Sequence, residues 1–341
     1  MKLLRRLPSA EALREAVGLT GAERAQRETA LTELRSVFDG TSDKKILIIG
    51  PCSADRADAV LEYADRLREL QDRVAEKLIL VPRIYTGKPR TTGQGYKGML
   101  HSVCPTDPTE HLAAGLIASR TLHRDVIRTT GLIAADELLY PDTLPYVEDL
   151  LGYFAIGARS VENQQHRLIS SAVDLPVGMK NPTGGNLSVM LNAIKAARVS
   201  QHVPYNGWEA ETEGNPYAHA ILRGYVTNAG TYVSNYSRGD LEQLLTDYTA
   251  AGLDHPAVIV DCSHANSAKQ YKMQLIIADN VLSTMNAAPE LMRFVKGLMI
   301  ESYLEDGSQK AVDGCYGKSI TDGCIGWQQT ESLVLKLADQ L

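Results

Sequence analysis

Phenylalanine and tryptophan are scarce, with three and two copies in 341 residues. A core with so few aromatic rings is built mainly from aliphatic side chains. No stretch approaches the roughly 18 apolar residues that a bilayer-spanning helix needs. No apolar segment of signal-peptide length follows the basic residues near Met1. The five cysteines are an odd, unclustered set, which argues against a disulfide scaffold and fits a reducing, cytoplasmic setting. Basic charge is in deficit too: 35 Lys and Arg stand against 41 Asp and Glu, a net charge of −6. A general nucleic-acid binder carries the opposite balance. Neither nucleic acid nor membrane is expected as a partner.

What is present is a repeated texture. Ser9–Phe38 places leucine and small residues at helical spacing, with a break near Gly18–Gly21, and reads as one or two amphipathic helices. Residues 1–45 are therefore expected to form a short N-terminal helical arm, and 46–341 the main unit. From Ile46 onward eight short aliphatic runs recur: Ile46–Ile49, Leu78–Tyr85, Leu132–Leu138, Ala155–Arg159, Pro176–Met179, Ala218–Leu222, Ala257–Val260 and Gly297–Ile300. Helical stretches such as Ala57–Leu70, Glu162–Val173, Asp240–Ala251 and Ala268–Asn280 separate them. Repeated βα units make a parallel sheet, and eight of them can close into a (β/α)8 TIM barrel. A doubly wound open sheet is the competing arrangement.

The chemistry sits where the runs end. Gly50-Pro51-Cys52-Ser53 follows the first, and the second carries Arg83 and then Lys88-Pro89-Arg90-Thr91-Thr92. The next four end in Asp136-Glu137, Arg159, Lys180-Asn181 and Arg223, and the last two in Asp261-Cys262-Ser263-His264 and Glu301-Ser302. In a barrel all eight ends open onto one face, the face that carries barrel active sites. Arg83, Lys88, Arg90, Arg159, Lys180 and Arg223 would bring six cations to one mouth of an acidic protein. Such a concentration is unfavourable unless anions lie between them, and Arg and Lys are the residues that grip phosphate and carboxylate. A multiply anionic substrate is expected.

A second group contains Cys52, His264, Glu301 and Asp322. Thiolate, imidazole and carboxylates form a mixed shell suited to Mn, Fe, Co or Zn more than to Mg or Ca. Each member also has an ordinary structural reading: Cys52 as a small buried hydrophobe, His264 as a hydrogen-bonded core residue, Glu301 and Asp322 as helix caps. The Gly93-Gln94-Gly95-Tyr96-Lys97-Gly98 stretch matches the dinucleotide fingerprint, but no strand directly precedes it and prolines at Pro105 and Pro108 bar a helix directly after it. It reads as a substrate loop. The Asn186 and Asn235 sequons carry no meaning in an intracellular chain.

The blocks Gly50–Ser53, Lys88–Thr92, Gly157–Ser160, Val177–Asn181, Ile221–Gly224, Asp261–Ser267 and Tyr316–Asp322 follow one another in an order and spacing that resemble type I 3-deoxy-D-arabino-heptulosonate 7-phosphate (DAHP) synthases. The resemblance runs from about Ile46 to Ala338. It implies metal-dependent condensation of phosphoenolpyruvate with erythrose 4-phosphate, at the head of the shikimate route to aromatic amino acids. Matched position by position, Cys52, His264, Glu301 and Asp322 would hold one divalent ion, with Mn2+ favoured over Fe2+, Co2+ or Zn2+. Arg83, Lys88, Glu137, Arg159, Lys180 and Arg223 would bind phosphoenolpyruvate, and Arg90 with Thr91 the sugar phosphate. Lys88 is the foremost candidate for proton transfer, and His264 the alternative; with Cys52 they make up the catalytic set.

The same resemblance carries further expectations. The assembly is a homodimer or homotetramer. Asp174 stands where regulated relatives tend to have a small hydroxyl residue, so inhibition by Phe, Tyr or Trp through that pocket is not expected. Cys324 lies two residues beyond Asp322, and without metal the Cys52 and Cys324 thiols could oxidise to a disulfide. The Gly224–Tyr232 and Gly93–Gly98 segments depart from the family's usual form on the acceptor side. The alternatives are therefore a paralogue taking another aldose phosphate, such as a five-carbon one, and a barrel that has become a non-catalytic regulator.

Overall fold

A computed structural model describes residues 1–341 apart from Pro108, Asn206 and Gly207. Pro108, one of the two prolines expected to bar a helix after the glycine-rich loop, thus lies outside the described residues.

Two helices open the chain, α1 (Ala10–Ala16) and α2 (Gly21–Asp39). The break between them is chemical. Thr20 caps α2 in a reciprocal box, its hydroxyl accepting from the Glu23 amide at 3.3 Å while the Glu23 carboxylate accepts from the Thr20 amide at 2.6 Å. Leu31, Leu34, Val37 and Phe38 of α2 join the same hydrophobic core as the strands that follow. Phe38 lies 4.4 Å from the buried His219 ring, and burial pushes that imidazole down to about 3, so it is neutral and packs as an aromatic.

Eight parallel strands form the main sheet: β1 (Lys45–Gly50), β2 (Leu78–Pro82), β3 (Ala134–Glu137), β4 (Leu151–Ile156), β5 (Val177–Lys180), β6 (Ala218–Leu222), β7 (Val258–Asp261) and β8 (Val295–Glu301). They are buried almost throughout, as parallel strands covered on both faces must be. Pairing runs β2-β1-β8-β7-β6-β5-β4-β3. Among the described residues, β2 and β3 are joined by an Arg83–Ala135 bridge, with the Ile84 amide donating to the Ala135 carbonyl at 2.8 Å. That contact turns the sheet into a barrel.

Helices α3 (Ala57–Val74), α4 (Leu112–Thr130), α5 (Gln164–Ser171), α6 (Leu187–Ala197), α7 (Arg238–Ala250), α8 (Met273–Ala287), α9 (Pro289–Phe294) and α10 (Trp327–Gln340) complete the chain. The barrel expected from the eight aliphatic runs is the observed architecture. Two boundaries differ for physical reasons. The fourth strand begins at Leu151 rather than Ala155, which leaves Arg159 in a turn beyond the strand. The helix expected from Ala268 starts at Met273, because His264, Ala268 and Lys269 adopt left-handed backbone (φ 52°, 49° and 62°) that no helix can include. Short antiparallel pairs, His202–Tyr205 with Trp208–Glu211 and Tyr225–Val226 with Tyr232–Val233, decorate the barrel.

Candidate active site at the strand ends

Gly50 ends β1 where a side chain would collide with the Arg83 backbone, so the turn into Cys52 lies directly against the end of β2. Arg83 and Tyr85, two apart on extended chain, project to the same side. The Arg83 guanidinium stacks 3.8 Å from the Tyr85 ring centre, and the Lys180 ammonium lies 5.2 Å from the same centre. One buried ring therefore contacts two cations and adds to the relief of their mutual repulsion. Tyr85 was not apparent from sequence, since it reads as the aromatic end of an aliphatic run. Its spacing from Arg83 was the available signal.

Three of the four expected metal ligands meet. The Cys52 sulfur and one oxygen each of Glu301 and Asp322 lie within 4.8 Å of one another. The Lys88 ammonium stands among them, 2.7 Å from the Cys52 sulfur and 3.8 Å from an Asp322 oxygen. Thiol and carboxylates grouped in this way are a mixed soft and hard donor set of the kind that suits a transition-metal ion. Glu301 also pairs with Arg83 at 3.2 Å. His264 is the exception, lying outside the group of three. Its Nδ1 faces the Asp261 carboxylate and the Ser263 hydroxyl, both at 2.8 Å. Among the described residues its Nε2 has no hydrogen-bond partner.

The electrostatics follow from burial and proximity. Burial, then the Glu301 charge, pushes the Cys52 thiol up, while Lys88 pulls against them. Burial disfavours the Lys88 ammonium, but Cys52, Glu301 and Asp322 outweigh it and hold the group above its usual range. Lys88 therefore carries its proton at neutral pH. Burial would raise Asp261, yet His264 and Lys180 overcome it and keep the carboxyl well below the usual range.

The cationic side is equally built. Glu137 pairs with Lys180 at 3.1 Å, and both are buried. Burial would raise the Glu137 carboxyl, but Lys180, with Lys88 and Arg83, holds it low. Arg223 is anchored through its backbone: its amide donates to the Asn181 side chain at 2.9 Å, and Asn181 donates in turn to the Gly224 carbonyl. Asn235 closes this network by donating to Asn181 at 3.2 Å, so the second sequon holds a buried structural residue. One Arg223 side-chain nitrogen, Nη1, is buried without a hydrogen-bond partner among the described residues. Buried donors of that kind are rare unless a ligand completes them. Arg159 is exposed at the rim. Arg90 donates to the Tyr96 carbonyl at 2.7 Å, Tyr96 to the Ala54 carbonyl at 3.1 Å, and Thr91 is exposed. All of Gly93, Gly95 and Gly98 have positive φ, and the nearest following helix starts at Leu112, so the dinucleotide fingerprint lacks its structural context.

The sequence model of the DAHP synthetase I family matches residues 23–335. The phospho-2-dehydro-3-deoxyheptonate aldolase of Haemophilus influenzae is 39% identical over 315 residues, covering 90% of this chain and 84% of that protein. The Tyr-sensitive aldolase of the same name from Salmonella typhimurium is 36% identical over 344 residues, covering 98% of this chain and 93% of its own. A solved structure of the Francisella tularensis enzyme superimposes with a TM-score of 0.91 at 29% identity, spanning 100% of this chain and 98% of that one.

Proposed function

Because the chain belongs to the DAHP synthetase I family, we propose that the residues at this rim carry out the family's reaction in the roles given below. The activity is that of a 3-deoxy-7-phosphoheptulonate synthase, a transferase joining phosphoenolpyruvate to erythrose 4-phosphate with release of phosphate. It is the entry step of aromatic amino acid biosynthesis.

Arg83, Lys88, Glu137, Arg159, Lys180 and Arg223 hold phosphoenolpyruvate, whose anionic groups complete donors such as Arg223 Nη1, which has no partner among the described residues. Arg90 and Thr91 hold the phosphate of the aldose. Cys52, Glu301 and Asp322, joined by Nε2 of His264, hold one divalent ion, Mn2+ before Fe2+, Co2+ or Zn2+. That ion supplies Lewis-acid polarisation of the aldehyde when bound. The C2–C3 double bond of phosphoenolpyruvate gives its electron pair to the aldehyde carbon, forming the new C–C bond. Lys88 delivers a proton to the aldehyde oxygen as it becomes an alkoxide. Positive character develops at C2, where the Glu137 carboxylate offers compensating charge. Water adds there, one of its protons restores the Lys88 ammonium, and the C2–O bond to phosphate breaks as the remaining hydroxyl proton leaves with the phosphate, giving the ketone. Most of the acceleration comes from holding two repelling polyanions in register.

The observation that carries this reading is the position of Lys88, at bonding distance from the thiol of the ligand group and electrostatically coupled to Glu137 of the cation group. The test is optical measurement of phosphoenolpyruvate consumption with Mn2+, before and after chelation, in wild type, Cys52→Ala and Lys88→Ala. Chelation and both substitutions should abolish turnover, and Mn2+ should restore only the wild type. Full activity in Lys88→Ala would refute the assignment. Offering arabinose 5-phosphate in place of erythrose 4-phosphate tests the acceptor, and faster turnover of the five-carbon sugar would overturn the choice. Sedimentation measures whether the chain is a homodimer or homotetramer.

A further inference from the structure

The barrel has a lightly laddered seam between β2 and β3, and the phosphoenolpyruvate residues straddle it. Arg83 and Lys88 belong to the β2 side, Glu137 and its partner Lys180 to the other. Beyond the Arg83–Ala135 bridge, toward the rim, a side chain takes over from the ladder. The Asp136 carboxylate is buried and receives four contacts. One oxygen accepts the Thr86 amide at 2.9 Å and the Glu137 amide at 2.7 Å. The other accepts the Thr86 hydroxyl at 2.6 Å and lies 3.1 Å from Nε2 of His123, a fully buried residue of α4. Two of these bonds cross the seam two residues before Lys88, and a third fixes the backbone of Glu137.

Packing behind Asp136 is incomplete. Behind Asp136 lies a cavity of ≈ 30 Å³ bordered by Thr86, Gly87, Leu116, Ser119 and Phe154. The Ser119 hydroxyl is buried there without a protein partner among the described residues. The carboxylate bonds that cross the seam here are charge-assisted and about twice as strong as neutral ones.

We propose that Asp136 is a positioning residue: its carboxylate closes the barrel at the substrate face and sets the spacing between Arg83–Lys88 and Glu137–Lys180. The idea rests on the reading of those four residues as the phosphoenolpyruvate pocket. The metal ligands come from the turn after β1, the loop after β7, the end of β8 and the C-terminal loop; Lys88 and Arg83 touch Cys52 and Glu301, but no ligand lies on β3, so loosening the seam should weaken phosphoenolpyruvate binding more than metal binding.

In Asp136→Ala the Michaelis constant for phosphoenolpyruvate rises about tenfold or more, as expected when binding contacts lose register. Mn2+ affinity, measured by calorimetry without substrate, falls by much less. Hydrogen exchange accelerates in peptides covering 83–88 and 134–138, and is unchanged in those covering β6 to β8. Asp136→Asn, which keeps an acceptor for both amides, restores most of the affinity. Thr86→Val removes one cross-seam bond, shifts both readouts in the same direction by less, and keeps the proposal testable if Asp136→Ala does not fold. Unchanged exchange at the seam, uniform acceleration over the whole barrel, or an equal loss of Mn2+ affinity overturns it. If Arg223→Met also leaves the Michaelis constant unaltered, the pocket reading has failed; if Asp136→Ala alone does so, the closure role has failed.

Discussion

Arg223 gives the sharpest opportunity to separate stability from function. Its backbone is fixed by Asn181 whatever the side chain, yet Nη1 is buried with no partner among the described residues. Burial lowers its affinity for a proton, and Arg159 adds to the effect, against the pull of Asp261. In Arg223→Met a side chain of comparable length fills the space without the unsatisfied donor. Leaving such a donor buried costs about 1–3 kcal/mol. For a chain of 341 residues the unfolding entropy is about 0.7 kcal/mol/K, so the melting temperature should rise by about 1–4 °C. Two charge-assisted bonds to phosphoenolpyruvate would be lost at about 1.5–3 kcal/mol each, which weakens binding about a hundredfold or more. The assay pairs thermal unfolding, with and without phosphoenolpyruvate, with initial rates over a range of its concentrations. Wild type should gain stability from the ligand, whereas the variant should start higher and gain little. A lower melting temperature for the ligand-free variant, or a Michaelis constant within a few-fold of wild type, would refute the reasoning.

Three other outcomes are expected. Glu137 has its carboxyl held below the usual 4.5, so its stabilising contribution is complete above pH 4.5 and is lost as pH falls through the lower folded value. The difference in melting temperature between wild type and Glu137→Gln should therefore shrink in acid, and a constant difference would contradict the ion-pair account. Cys52 and Cys324 are both buried free thiols, and burial, then Glu301 and Cys52, pushes the Cys324 thiol up. Oxidation of metal-free protein should join them with loss of activity, Mn2+ should protect, and mass spectrometry finding both thiols free in inactivated protein would exclude the bond. Sub-millimolar Phe, Tyr or Trp should leave initial rates unchanged. The charge argument for that insensitivity is weaker than sequence suggests, because Arg35 pairs with the exposed Asp174 at 2.7 Å. Clear inhibition would show that Asp174 does not bar the pocket.

The order of elements, the aliphatic strands and the ionisable residue at each strand end were legible in the sequence because they are local. A parallel strand covered on both faces must be continuously apolar, and the first polar residue after it marks the rim. Thr20 and Glu23 even announce the start of α2 by their spacing. Position along the chain could not reveal what depends on three-dimensional approach. It could not show that Tyr85 would lie under two cations from different strands, or that His264 would turn its Nδ1 to Asp261 and stand apart from Cys52, Glu301 and Asp322. Nor could it show Asp136 serving as a side-chain substitute for ladder bonds between β2 and β3. Covalent sequence determines which chemical groups arrive at the rim. Distances among groups separated by hundreds of residues exist only once the barrel has closed, and those distances fix which cations are paired and which are left for a substrate.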